Sequence, residues 1–153
     1  MVNCFEVAIT DLRTHFEEIY ESFVVGAGFF ESNDYYKLER ERYWRSLRLL
    51  CELSIPARTR LLEIGGGQLA ILFSKLFKDE CVVADISDQF ISPIKKAGLK
   101  FFRYNLMTPQ AHEHKEEFDV VVLLEVIEHI PTPPHVVFEH IKGFIRPGDI
   151  PFY

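Results

Sequence analysis

Cysteine is scarce in this chain. Its three thiols, Cys4, Cys51 and Cys81, are scattered and odd in number, and no CxxC pair occurs among the 153 residues. That excludes a disulfide framework and a cysteine-ligated zinc site, and it fits reduced thiols in a cytoplasmic protein. Long hydrophobic runs are also missing: no segment approaches the roughly 20 apolar residues that a membrane-spanning helix needs. The opening MVNCFEVAITDLR lacks the basic stretch and apolar run of a secretion signal. Blocks of positive charge are absent as well. Lysine and arginine number 17 against 23 acidic residues, a formal charge of −6, so nothing forms the basic stripe that a nucleic-acid partner requires. The nearest approach, KLERERYWRSLR (Lys37 to Arg48), interleaves Glu39 and Glu41 with its arginines. Glu41 and Arg45 stand one helical turn apart and can pair, which reads as a solvated helix face. Internal repeats and low-complexity segments are absent too.

What is present is ordinary globular composition, 48% apolar and 26% charged, in a length suited to one domain with its own core. The N-terminal third reads as helical. Leu12, Phe16, Ile19, Tyr20 and Phe23 recur at helical spacing, with Thr10 or Asp11 available as a cap. VGAGFFESND (Val25 to Asp34) is a loop. Asn33 or Asp34 can cap a second helix, carrying Tyr36, Tyr43, Leu47 and Leu50 on one side, which SIPART breaks after Leu53. The pattern then changes. RLLEI is a short buried strand, and QLAILFSKLFK is an amphipathic helix with Leu69, Leu72, Phe73, Leu76 and Phe77 on one face. CVVADIS is a second strand, a short helix over Pro93 to Ala97 ends at Gly98, and LKFFRYN is a third strand. FDVVVLLE is a fourth, continuously apolar and so expected to be buried on both faces. PHVVFEHIKGFI is the next helix, and RPGD stops it. Strands alternating with helices predict an α/β fold, a parallel sheet with helices on both faces and right-handed crossovers. A helical cap over residues 1–57 and a sheet core over 58–153 are expected to form one compact domain.

Ligands of open parallel sheets bind beyond the carboxyl ends of the strands. Here those ends carry Glu63-Ile64-Gly65-Gly66-Gly67, then Asp85, then Asn105, then Glu125. Each polar group stands where an apolar strand runs out. The glycines let the turn adopt positive φ and let a ligand touch bare main chain, while the following helix points its amides at the same spot. Asp85, 18 residues beyond Gly67, suits a pair of ribose hydroxyls, and Asn105 can hydrogen-bond an adenine edge. Gly65-x-Gly67-x-x-Ala70 also satisfies the dinucleotide fingerprint. An acid at Glu63, however, would face a pyrophosphate with like charge. It suits a ligand bearing an ammonium or a sulfonium.

With LLEIGGGQL, VVADIS, FRYNLM and FDVVVLLEVIEHI…FIRPGD in hand, the chain resembles the class I S-adenosylmethionine-dependent methyltransferases over about residues 58–149. The resemblance implies a Rossmann-like methyltransferase fold with an N-terminal helical cap and S-adenosyl-L-methionine as cofactor. It implies that Glu63, Gly65, Gly66 and Gly67 hold the methionine portion and Asp85 the ribose. Asn105 and Leu106 then hold the adenine, Glu125 lies near the methionine end, and Gln68 and Ile86 are further cofactor contacts. Two departures stand out: Leu69 replaces the third motif glycine, and Asn105 stands where the family often has Asp. The implied activity is methyl transfer to a small-molecule acceptor. A non-catalytic or degenerate S-adenosylmethionine-binding module that needs a partner is the alternative, followed by a nicotinamide-binding Rossmann module.

Methyl transfer from a sulfonium is an in-line displacement, so alignment matters most, and a base is needed only where the acceptor must lose a proton. His129 in EVIEH is the candidate base; a local hydrogen bond at a helix start is the plain alternative. Glu125, Glu128 and His129 stand at i, i+3 and i+4 and could hold a divalent ion on one helical face. No fourth ligand follows, so no metal is expected. Tyr35, Tyr36, Tyr43 and Trp44 could line an acceptor pocket, although packing on the sheet is the ordinary role of such a stripe. His112 and His114 read as a solvated loop. The sequence ends at RPGDIPFY, where a fifth strand would begin. The sheet is therefore expected to be incomplete, with the fourth-strand edge covered by the N-terminal helices, the tail or a second copy in a homodimer.

Overall fold

A computed structural model describes residues 9–53, 58–108 and 113–147. Cys4, His112 and the tail with Pro151 lie outside them. Helix α1 (Ile9–Tyr20) runs directly into a π-helical turn, Glu21–Val25. Among the residues that α1 and this turn bury, Leu12, Phe16, Tyr20 and Val24 recur four apart. That spacing drifts around an α-helix, and the wider π turn takes up the drift. Val24 and Val25 are buried and Phe23 only partly, whereas plain helical spacing favours Phe23. Helix α2 spans Asn33–Glu52. Its cap is Ser32, whose side chain accepts the Tyr35 N–H at 3.2 Å, rather than Asn33 or Asp34. Tyr20 Oη donates to the Tyr36 carbonyl at 2.7 Å and ties α1 to α2.

The sheet has four parallel strands in the order β3-β2-β1-β4. These are β1 (Arg60–Ile64), β2 (Glu80–Asp85), β3 (Lys100–Arg103) and β4 (Val120–Leu123). Helices α3 (Gln68–Phe77) and α4 (Ile91–Lys96) make the β1–β2 and β2–β3 crossovers, and α5 (Pro134–Lys142) follows β4. Alternation along the strands divides the interior in two. Leu61 and Val83 join the core shared by α1, α2, α3 and α4. Leu62, Ile64, Val82 and Ala84 face Phe118, Phe144 and the α5 residues Val137 and Ile141. Helices thus cover both faces, and the cap shares one core with α3.

All four residues of β4 are half-buried rather than buried. The physical reason is position: β4 hydrogen-bonds only to β1 within the described sheet. An isolated parallel bridge joins Phe118 to Ile145. Phe118 itself is fully buried, with Arg60 stacked over its ring at 5.5 Å. Phe118→Ala is expected to destabilise the chain by about 3–5 kcal/mol, read as a lower urea midpoint at unchanged slope.

Candidate functional site

The end of β1 builds the floor. Gly65 and Gly67 adopt φ of +127° and +89°, which turns the chain straight into α3. A Cβ on Gly65 would lie 2.8 Å from Val126 Cγ2, and one on Gly67 would lie 3.0 Å from both methyls of Val83. Gly65 therefore allows the loop after β4 to close on the turn, and Gly67 allows α3 to pack on β2. Glu63 lies beneath this turn, 1% exposed, on the same side of β1 as Leu61, facing α3 and the cap. Its Oε2 accepts the Ala70 N–H at 2.6 Å. Burial pushes its carboxyl up to about 7, while the amides of Ala70, Gly67 and Leu69 pull it back down.

The other strand ends complete the walls. Asp85 Oδ1 accepts the Ser87 N–H at 2.7 Å, and partial burial raises its carboxyl above the ordinary range. Asn105 Oδ1 accepts the Met107 N–H at 2.9 Å, folding residues 105–108 into a tight turn. Leu106 is buried against the α5 side of the sheet. Glu125 takes a left-handed conformation, φ +56°, and only a short 3-10 turn, Ile127–His129, follows. Glu125, Glu128 and His129 therefore do not share one helical face. Among the described residues no group of three such side chains is placed to hold a metal ion.

Helix α2 forms the roof. Gln68 Nε2 donates to Tyr36 Oη at 3.3 Å, joining roof to glycine turn. Arg42 lies 3.4 Å from Glu125 and 3.2 Å from Glu39, and its Nη2 donates to Tyr35 Oη at 3.2 Å. Its Nε is buried with no hydrogen-bond partner. Tyr35, Tyr36 and Tyr43 line the space below while Tyr36 and Tyr43 also pack in the core. Trp44 stacks on Phe16 at 5.1 Å instead.

The result is one cleft of about 580 Å³. Gly65, Gly66, Gln68, Asp85, Ile86, Asn105, Leu106, Glu125 and His129 come together on its walls. Glu63 and Gly67 do not line it; they act from behind, one bonding the α3 amides and the other admitting Val83. Arg42 is the lining residue the sequence reading passed over as a solvated helix face. The usable signal was its place seven residues after Tyr35, on the same helix side. His114 is also not a solvated loop residue: it stacks on Phe102 at 4.3 Å and pairs with Glu117 at 2.5 Å.

A parallel sheet with a glycine turn, an acid and an amide on successive strand ends above one cleft is a Rossmann-like fold of the methyltransferase type. Residues 36–150 match the family described as a methyltransferase domain, and the chain belongs to that family. A curated relative, the ubiquinone biosynthesis O-methyltransferase of Shewanella halifaxensis, is 27% identical over 94 residues, 58% of this chain and 39% of that protein. A candidate sarcosine dimethylglycine methyltransferase of Galdieria sulphuraria superposes with a TM-score of 0.61 at 14% identity, over 89% of this chain and 56% of that one. Coclaurine N-methyltransferase bound to N-methylheliamine and SAH superposes with a TM-score of 0.55 at 16% identity, over 90% and 48%. The chain thus spans well under two thirds of each of these relatives. No described helix is long and apolar enough to cross a membrane.

Proposed function

We propose that the chain binds S-adenosylmethionine in this cleft and transfers its methyl group to a small-molecule acceptor. The observation that carries the reading is the buried Arg42 Nε without a partner, set in the same cleft as Asp85, Asn105 and the bare main chain of Gly65 and Gly66. S-adenosylmethionine has one anionic group, its carboxylate, and Arg42 is the arginine that lines the cleft. Asp85 suits the ribose hydroxyls, and the apolar Ile86 and Leu106 with Asn105 suit the adenine. Gly65, whose Cβ would strike Val126, keeps the loop after β4 closed on the glycine turn, so both stand together on the cleft wall. Family membership favours this reading over a nicotinamide carrier.

Bound S-adenosylmethionine supplies an electrophilic methyl group on a sulfonium. The chain's own residues bind, orient and exclude water. Glu63, raised by burial to about 7, supplies negative charge beneath the turn when it ionises, without touching solvent. Tyr35, Tyr36 and Tyr43 shape the acceptor side, and His129 stands on the cleft wall to take a proton from an acceptor hydroxyl or ammonium.

Calorimetry with S-adenosylhomocysteine and 5′-methylthioadenosine tests the cofactor reading. The second ligand keeps the adenosine and sulfur but has no carboxylate. Arg42→Met is expected to weaken S-adenosylhomocysteine at least ~10-fold, the worth of a charge-assisted hydrogen bond, and to leave 5′-methylthioadenosine within about twofold. NAD binding with no binding of either adenosyl ligand would overturn the reading. Transfer of labelled methyl to an acceptor pool, lost in His129→Gln, separates catalysis from binding alone.

A further inference from the structure

We infer that His140, outside the cleft on α5, is a positioning residue for the loop that borders the nucleobase. This rests on the cofactor reading above. His140 Nδ1 lies 2.7 Å from the Leu106 carbonyl oxygen, 34 positions away in sequence. A carbonyl can only accept, so Nδ1 carries the proton and His140 donates. That holds for the neutral ring and the imidazolium alike, because both can keep a hydrogen on Nδ1.

Three other tethers show what this bond adds. Tyr104 N–H bonds the Asp85 carbonyl at 3.0 Å, fixing the loop's entry. Asn105 folds the turn through Met107 at 2.9 Å. The Leu106 side chain packs with Val137 and Ile141 of α5. The first two act within or before the loop, and the third is non-directional. The His140 bond is the directional link from α5 to the segment Asn105–Leu106–Met107, all of which lines the cleft. Losing it leaves the loop attached through those contacts but without a hydrogen bond from α5 to fix the Leu106 carbonyl. The side-chain amide of Asn105 would then lose its aim at the base edge.

His140 itself does not line the cleft, so its effect on ligands must pass through the loop. The expected signature is therefore specific to the adenosine half. His140→Phe keeps the ring volume and removes the donor. It is expected to weaken S-adenosylhomocysteine and 5′-methylthioadenosine by the same factor, about fivefold, the worth of one neutral hydrogen bond. His140→Asn restores a donor at the Nδ1 position and is expected to recover most of the affinity. His140→Phe should melt a few degrees below wild type, because the Leu106 carbonyl loses its donor, and His140→Asn close to wild type.

Calorimetry of wild type, His140→Phe and His140→Asn with both ligands decides the matter. An equal loss for the two ligands in His140→Phe, with recovery in His140→Asn, is the expected result. Unchanged affinity in His140→Phe, or a loss confined to S-adenosylhomocysteine, overturns the role of His140. Failure of wild type to bind either ligand overturns the cofactor reading instead, and this inference with it.

Discussion

Gly65→Ala is expected to lower affinity for S-adenosylhomocysteine at least ~100-fold, about 2.7 kcal/mol. Two costs coincide at this position. The φ of +127° is a conformation that residues with a Cβ rarely adopt. The added carbon would also lie 2.8 Å from Val126 Cγ2, well inside contact distance. Relief requires moving either the glycine turn or the segment after β4. Both line the cleft, so either movement displaces a wall that carries Glu125 and His129. Gly98→Ala is the matched control. Gly98 also has positive φ, +83°, but nothing lies within 4 Å of its built Cβ. It should lose stability and keep its affinity. Calorimetry beside thermal melts checks both, and Gly65→Ala binding within threefold of wild type would refute the steric account.

The second large effect concerns Glu63. Its ordinary carboxyl value is 4.5, and burial raises it to about 7. The sign follows directly. A group whose value is raised on folding contributes stability that is fully present below the unfolded value. That contribution is lost as pH rises through the folded one. Stability is therefore expected to fall between pH 4.5 and about 7, by up to roughly 3 kcal/mol from this group. Glu63→Gln should flatten that part of the profile in urea titrations. Asp85 is also raised by burial and acts in the same direction, so Asp85→Asn should remove a separate, smaller slope. Ligand binding probes the same carboxylate. Cationic S-adenosylmethionine favours the ionised acid and should release a proton near pH 6.5, whereas neutral S-adenosylhomocysteine should release less. Calorimetry in buffers of different ionisation enthalpy measures the difference. Equal release by the two ligands would show that Glu63 does not sense the sulfonium charge.

Much of this architecture is readable in the sequence because its signals are local. RLLEI before three glycines, and Asp85 and Asn105 where apolar runs stop, need only period and punctuation. The parallel sheet and both helical layers follow from them. What was not readable is set by tertiary placement. Glu63 sits at a strand end and looks like a ligand contact. Which side of β1 it occupies depends on the core, and the α3 amides claim it. EVIEH has helical spacing, but a left-handed Glu125 breaks the helix before it starts, and no single-residue propensity announces that. Arg42 was hidden by its neighbours: Glu39 and Glu41, interleaved with the arginines, made the segment look solvated. The fourth strand read as doubly buried because VVVL carries no polar residue, yet burial depends on what lies beside it. His140 and Leu106 are 34 residues apart, and no pattern links them.

The hydrogen bond from Gln68 to Tyr36 makes roof and floor one mechanical piece. Lifting that roof would break the bond, worth about 1 kcal/mol, and would also strip Tyr36 and Tyr43 out of the core they share with α3. A ligand bound beneath it is therefore expected to come and go by the mouth, where Phe30 is 69% and Met107 40% exposed.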